Sequence, residues 1–233
     1  IIADYGPDAV AFYGSGQLLT EDYYVANKLA KGFLGTNNFD TNSRLCMASA
    51  AVGYHTSLGS DGPPVAYADI DLADGFLIIG SNLAECHPIV FRRLKRRKEQ
   101  APDAVKVISV DPRRTEVADI ADLYLPIRPG ADIALLNAML TVMVEERLVD
   151  PAFIAAHTQG WDAVHTLLAR YTPEAVQEVC GLPASRIREA ARLFGRAQAV
   201  ISLWSMGMNQ STVGVGKNNA LINLHLATGQ IGK

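Results

Sequence analysis

The chain has 233 residues, 49% hydrophobic and 19% charged, with a net charge of −3. That fits a globular protein of one or two domains and excludes a strong polyelectrolyte partner, whether nucleic acid or an anionic membrane. No apolar run reaches the roughly 18 residues of a spanning helix, and the dispersed cysteines Cys46, Cys86 and Cys180, with no C-x-x-C pair, argue against a disulfide framework, a zinc site or an iron–sulfur cluster within the segment.

Short apolar strands alternate with amphipathic helices. AVAFYGSG (9–16) is the first strand candidate. The following TEDYYVANKLAKGFLG is predicted helical: Thr20 can cap it, Val25, Leu29 and Phe33 share a face, and Gly35 stops it. NSRLCMASAAVGYHTSL (42–58) reads as the next helix, and GSDGPPVAY (59–67) as a Gly/Pro-rich loop. GFLIIGSN (75–82) is a strand whose apolar run implies burial on both faces. HPIVFRRLKRRKEQ is a helix with Pro88 in its first turn. Its basic run RRLKRRK (92–98) reads as a solvated face, with cations toward the end that the helix dipole favours. VKVISVDP (105–112) and DLYLPIRPG (122–130) are further strands. ADIALLNAMLTVMVEERL is a long helix with Asp132 at its start. TPEAVQEVCG, with Thr172 as cap and Pro173 at the first helical position, and PASRIREAARLFGRA follow, so that 145–198 is nearly all helical. AVISLWSMG (199–207) is the last strand, and KNNALINLHLATG a final helix ended by Gly229. This order predicts an α/β fold, a parallel sheet covered by helices. The opening IIADYGPDAV has neither an initiator Met nor a basic signal region, and the chain stops at GQIGK just after a helix. The expectation is an interior piece of a longer polypeptide.

In open parallel sheets, ligands bind beyond the carboxyl ends of the strands. The runs that follow the five strands are GSGQ, GSNLAECHP, DPRRT, RPGAD and SMGMNQ. Each carries Gly, Asn, Asp, Gln or Arg, types that let backbone approach a phosphate, donate to it, or read ribose and base edges. Each is weak alone. Gly14-x-Gly16 lacks the third glycine of the dinucleotide fingerprint, Leu19 standing there, and reads first as a tight turn. Asp111 closes a strand as a ribose-binding acid would, but lies farther than about 20 residues from Gly80. Arg113 and Arg114 are also what ordinary surface charges look like. Five such runs, all at strand ends, point together to a large polyanionic ligand spread over several loops.

Cys46 lies just after a helix start. With Asn42 or Ser43 as cap it falls within or just beyond the first turn, where exposed N–H groups and the dipole stabilise a thiolate. Arg44 adds a positive charge, and a soft metal would find a good sulfur donor there. A buried structural cysteine is the competing reading, and it is the favoured one for Cys86 and Cys180.

In order, DTNSRLCMASAAVGY, GSNLAECHPIVFRR, VDPRRT, RPGAD and SMGMNQ…NNALINLHLATGQIGK strongly resemble the molybdopterin oxidoreductases that carry a molybdenum bis(molybdopterin guanine dinucleotide) cofactor. The nearest resemblance is to the catalytic subunits of bacterial nitrate reductases of the assimilatory and periplasmic type, and it covers essentially the whole chain. It implies two Rossmann-like parallel-sheet domains of the formate dehydrogenase/DMSO reductase kind. One is split, residues 1–43 and 199–233, and incomplete; the other, 44–198, is inserted and ends in a helical part. By the same resemblance Cys46 ligates molybdenum, and Cys46, Met47 and Met206 line the catalytic pocket. The implied cofactor-binding residues are Gln17 and Asn42; Gly80, Ser81, Asn82 and Glu85; Asp111, Arg113 and Arg114; Gly130 and Asp132; and Met206 and Gln210.

The implied reaction is oxygen-atom transfer from nitrate, which releases nitrite; two electrons and two protons turn the oxygen into water. Also implied are a [4Fe–4S] cluster whose cysteine ligands lie outside this segment, an electron-donor protein or subunit, and a C-terminal domain that completes cofactor burial. The segment alone is therefore expected to bind no cofactor durably. The alternatives are a formate dehydrogenase of the same family and a non-catalytic electron-transfer scaffold like the large iron–sulfur subunit of respiratory complex I. Formate dehydrogenases typically place a histidine after the metal-ligating Cys or selenocysteine, where Met47 stands here. Cys46, Asn42 and Gln210 together speak against the scaffold. GTNNFDTNSRLCM and LINLHLATGQIGK are more similar to the cytoplasmic assimilatory group than to the periplasmic one.

Overall fold

The computed structural model describes residues 1–232, and the chain forms two units divided after Ser49. In the first, a helical turn, α1 (Ile2–Tyr5), leads to β1 (Phe12–Gly14). Then α2 (Thr20–Asn27) widens into a π-helical stretch, Lys28–Leu34, which stops at Gly35 with a left-handed φ of 77°. β2 (Phe39–Thr41) pairs in parallel with β1, Phe12 opposite Phe39, and their rings stack with centroids 5.9 Å apart. α3 (Ser43–Cys46) is a single turn. β2 was not expected, because FDT is too short to show alternation. Thr20 does not cap α2 either: Leu19 holds the N-cap position, and the Asp22 carboxylate accepts its N–H at 3.2 Å. Val25, Leu29 and Phe33 stay 63%, 44% and 75% exposed. A pair of three-residue strands offers no sheet face wide enough to cover them.

α4 (Ala48–Leu58) carries the chain from the first unit into the second. The helix expected over 42–58 is thus two helices, broken at Met47 (φ −135°). Methionine is a good helix former, so local propensity does not mark the break.

The second unit is built on β3 (Gly75–Ile79), β4 (Lys106–Val110), β5 (Leu123–Leu125) and β6 (Val200–Trp204). They form one sheet in the order β5-β4-β3-β6, parallel throughout. Between β3 and β5 lie α5 (Leu83–Cys86), α6 (Pro88–Gln100) and α7 (Val117–Ile120). After β5 come α8 (Asp132–Glu145), α9 (Pro151–His157), α10 (Trp161–Leu168), α11 (Pro173–Cys180) and α12 (Ala184–Arg196). After β6 come α13 (Met206–Asn209) and α14 (Gly214–Ala227), the latter starting three residues before the expected Lys217.

The two-residue period of β3 divides the core. Leu77 and Ile79 face one layer, with Ile108, Val110, Leu135, Met139, Ile187, Phe194 and Leu221. Phe76 and Ile78 face the other, with Val107, Ile201, Phe91 and Leu94. That is why GFLII is apolar at every position. α8 is buried on nearly all sides and packs against α11, α12 and α14. The basic run of α6 divides: Arg92, Lys95 and Arg96 are exposed, as expected of a solvated face, while Lys98 Nζ pairs with Asp122 at 2.9 Å, Arg97 Nε donates to the Ala73 carbonyl at 3.0 Å, and Arg93 pairs with Asp71.

β6 pairs along its length with β3, so the last strand enters the sheet of the second unit. The pairing lies outside what sequence periodicity carries, since an apolar strand fits any slot of a buried sheet.

Candidate functional site

In the first unit, the loop after β1 and the turn of α3 are one structure. The Gly16 N–H donates to Asn42 Oδ1, and Tyr23 Oη donates to the Ser15 carbonyl. Asn42 holds the N-cap position of α3, yet its side chain caps nothing there and holds Gly16 instead. Gln17 is exposed, its N–H on Ser15 Oγ at 3.1 Å. Cys46, half-buried, is the last residue of α3, its N–H on the Asn42 carbonyl at 3.0 Å; Met47 beside it is 49% exposed. One turn carries little macrodipole, so the expected helix-start argument fails for α3. The sequence instead puts Cys46 two residues ahead of the first residue of the 11-residue α4.

The other cysteines differ. Cys86 is exposed, Cys180 is buried, and no disulfide joins the three. Burial, and then the charge of Asp132, pushes the Cys180 thiol up to about 11, so it stays protonated as a core side chain.

In the second unit, the four parallel strands deliver their following loops to one edge of the sheet. Gly80 ends β3 with φ 57°, and it meets Gly207 backbone to backbone. The Gly207 N–H donates to the Gly80 carbonyl at 3.0 Å, which Ser205 Oγ also reaches at 3.4 Å. A Cβ on Gly207 would lie 2.7 Å from the Gly80 Cα and 2.8 Å from its oxygen. Ser81 is buried and Asn82 half-buried, while Glu85 is exposed. Beyond β4, Asp111 Oδ1 accepts the Arg113 N–H at 2.8 Å, and Tyr124 Oη donates to the Asp111 carbonyl at 3.0 Å. Arg114 lies over the Tyr124 ring, 5.5 Å from its centroid, and pairs with Asp119 at 2.9 Å. Arg113 and Arg114 are both exposed. Beyond β5, Gly130 turns with φ 88° into α8, whose first residue, Asp132, is buried. Beyond β6, Met206 opens α13, half-buried, and Gln210 follows it, exposed.

Polar groups unread in the sequence support these loops. Asn218, fully buried in α14, accepts from Trp204 Nε1 at 2.7 Å and donates to Asn209 Oδ1 at 3.1 Å and to the Gly214 carbonyl at 2.8 Å. α4 crosses α14 closely at this point: a Cβ on Gly53 would lie 2.7 Å from the Asn218 Cβ. Lys217 Nζ pairs with Asp132 Oδ2 at 2.7 Å and reaches the Gly207 carbonyl at 3.3 Å. One signal for Lys217 was in the sequence: a lysine in the first turn of a helix opposes the dipole and calls for a nearby anion.

Four loops on one edge of a parallel sheet, rich in glycine and polar side chains, define an α/β domain of the kind that binds an extended ligand at its strand tips. The family model described as Molybdopterin oxidoreductase matches residues 1–233, and the chain belongs to that family. It is 52% identical over 228 residues to a nitrate reductase of Synechocystis sp., covering 98% of this chain and 32% of the relative. It is 50% identical over 236 residues to the periplasmic nitrate reductase of Desulfovibrio desulfuricans, covering 97% and 31%. Formate dehydrogenase H of Escherichia coli is 39% identical over 230 residues, covering 98% and 32%. Among solved structures, acetylene hydratase from Pelobacter acetylenicus superposes with a TM-score of 0.82 at 27% identity, over 99% of this chain and 31% of that one. The chain thus spans about a third of the length of these proteins. Names as different as nitrate reductase, formate dehydrogenase and hydratase on one fold mean that the fold alone does not choose the reaction.

Among the described residues no helix is long and apolar enough to cross a membrane, and no three His, Cys, Asp or Glu side chains group to hold a metal.

Proposed function

We propose that this chain is the central part of a nitrate reductase in which Cys46 supplies a thiolate to molybdenum and the strand-tip loops bind a bis(molybdopterin guanine dinucleotide) cofactor. The observation that carries the reading is the convergence of the β3, β4, β5 and β6 loops on one edge of the sheet, with Asn82 among them. Asn82 Oδ1 is buried and has no hydrogen-bond partner among the described residues. A buried acceptor of that kind fits a ligand that brings an N–H or O–H donor. The donor chemistry fits as well: the Cys46 thiol would supply one soft sulfur to a metal whose other sulfurs come from dithiolenes.

When bound, the molybdenum centre supplies two-electron oxygen-atom chemistry. The chain's own residues bind and orient. Gly80, Ser81 and Asn82 present backbone and an amide to one nucleotide arm, with Glu85 at the outer end of the same loop. Asp111, Arg113 and Arg114 offer a carboxylate and two cations to ribose and phosphate. Gly130 and Asp132 form a third contact. Gln17 and Asn42 serve the β1 side, and Asn42 also fixes the Gly16 loop. Met206 and Gln210 serve the cofactor beside the metal, and Met47 and Met206 are polarisable apolar side chains suited to facing a small anion.

Nitrate is favoured over formate by nitrate reductases at 43–52% identity against formate dehydrogenases at 39–41%, and by Met47 in place of a histidine. The cofactor's guanine dinucleotide form, a [4Fe–4S] cluster outside the segment, an electron-donor partner, a cytoplasmic rather than periplasmic location, and the division into a split, incomplete domain of 1–43 and 199–233 and an inserted domain of 44–198 belong to the same proposal. Metal and nucleotide analysis of the full-length protein, with dye assays run on nitrate and on formate, tests it. Bound molybdenum with nitrate-dependent oxidation of reduced dye is the expected result. Formate-dependent dye reduction would make it the formate enzyme, and absence of molybdenum would make it a scaffold.

A further inference from the structure

We infer that Lys217 is a positioning residue that locks the β5 and β6 loops into one recognition surface for a nucleotide arm. This rests on the reading above for the ligand, but not for the coupling itself. β5 and β6 are the two outer strands of the sheet, so no strand pairing joins their tips. Lys217 spans them from the first turn of α14. Its ammonium lies 2.7 Å from Asp132 Oδ2, at the start of α8 after the β5 loop, and 3.3 Å from the Gly207 carbonyl in the β6 loop. The Lys217 and Asp132 side chains are only 5% and 10% exposed.

Two ions withdrawn from water to this extent hold each other in place, because separating them leaves an uncompensated buried charge. The ammonium has three donors, and the carboxylate and carbonyl use two of them in fixed directions. The Gly207 carbonyl belongs to the same glycine whose N–H holds Gly80, so the chain of contacts runs from the β5 loop through Lys217 to the β6 loop and on to the end of β3. Three of the proposed cofactor loops therefore move as one body. The dipole of α14 disfavours a cation at its own first turn, so the lysine is held there by Asp132 and not by its helix.

The test uses the full-length protein as purified, with hydrogen exchange of the 128–132 and 205–210 segments and bound guanine nucleotide as the two readouts. Lys217→Met keeps side-chain length and removes the charge. Lys217→Met with Asp132→Asn removes both charges, which guards against misfolding around an unpaired carboxylate. The expected result in both variants is faster exchange in the two segments together, on the order of a hundredfold in the single variant, with guanine nucleotide content reduced several-fold. Wild-type protection in both segments of the double variant would overturn the proposal. So would exchange that accelerates in one segment only, or nucleotide content that stays full while both segments loosen. A wild-type protein without guanine nucleotide would overturn the cofactor reading alone, and the exchange arm would still decide the coupling.

Discussion

Gly207→Ala tests the backbone clasp at the end of the sheet. The new methyl would sit 2.7 Å from the Gly80 Cα and 2.8 Å from its oxygen, against backbone that no rotamer change can move. Carbon contacts relax at about 3.5–4.0 Å, so the β3 and β6 tips must part by roughly 0.8 Å or more. That stretches the 3.0 Å hydrogen bond from Gly207 to Gly80. Its loss costs about 1 kcal/mol and the overpacking about 1–3 kcal/mol, offset by about 0.4–1 kcal/mol from the stiffer unfolded chain. The expected net destabilisation is about 1–3.5 kcal/mol. Gly62→Ala is the control, since a Cβ there meets no heavy atom within 4 Å; its effect should stay within about 0.5 kcal/mol. Urea titration of the full-length variants should show a lower midpoint for Gly207→Ala at unchanged slope. Equal midpoints for the two variants would refute the clasp.

Two further outcomes follow from particular contacts. Asn42→Ala removes the acceptor for the Gly16 N–H; a loss of about 1 kcal/mol corresponds to several-fold faster exchange at Gly16, and unchanged exchange would show the contact to be idle. His225 is half-buried, its ring 2.7 Å from Ser202 Oγ and edge-on to Phe194, and desolvation lowers its pKa from 6.5 to about 4. The unfolded chain therefore takes up this proton first as pH falls. The His225 contribution should be flat above about pH 6.5 and fall by up to about 3 kcal/mol as pH drops to about 4. Subtracting the stability curve of His225→Leu isolates it, and a pH-independent difference would contradict the assignment.

The fold was largely legible because its strands carry unambiguous patterns. GFLII and VKVISV are apolar on both faces, and each is followed by a polar, glycine-bearing loop, so a parallel sheet with ligand loops at its tips could be read directly. Caps were legible where side chains make them: Thr172 Oγ1 accepts the Ala175 N–H at 3.2 Å, as its position before Pro173 suggested. What escaped was set by distant chain. Asn42 looked like a cap, but its amide is taken by Gly16. The break at Met47 has no local signal, and β2 exists only because β1 lies beside it. The same holds within the candidate site. Gly80 and Asp132 stand in polar runs after strands and Met206 was named by resemblance alone, whereas the Gly80–Gly207 contact and the Lys217–Asp132 pair join residues that only the folded sheet brings together. Val25, Leu29 and Phe33 were correctly seen as an apolar stripe, but periodicity says nothing of whether a face exists to cover it.

The sulfur shell of molybdenum in the full-length protein tests the proposed role of Cys46 most directly. X-ray absorption at the metal edge should count one sulfur neighbour fewer in Cys46→Ser than in the wild type, with nitrate reduction lost. Identical sulfur counts in the two proteins, or full nitrate reduction by the variant, would contradict ligation by Cys46.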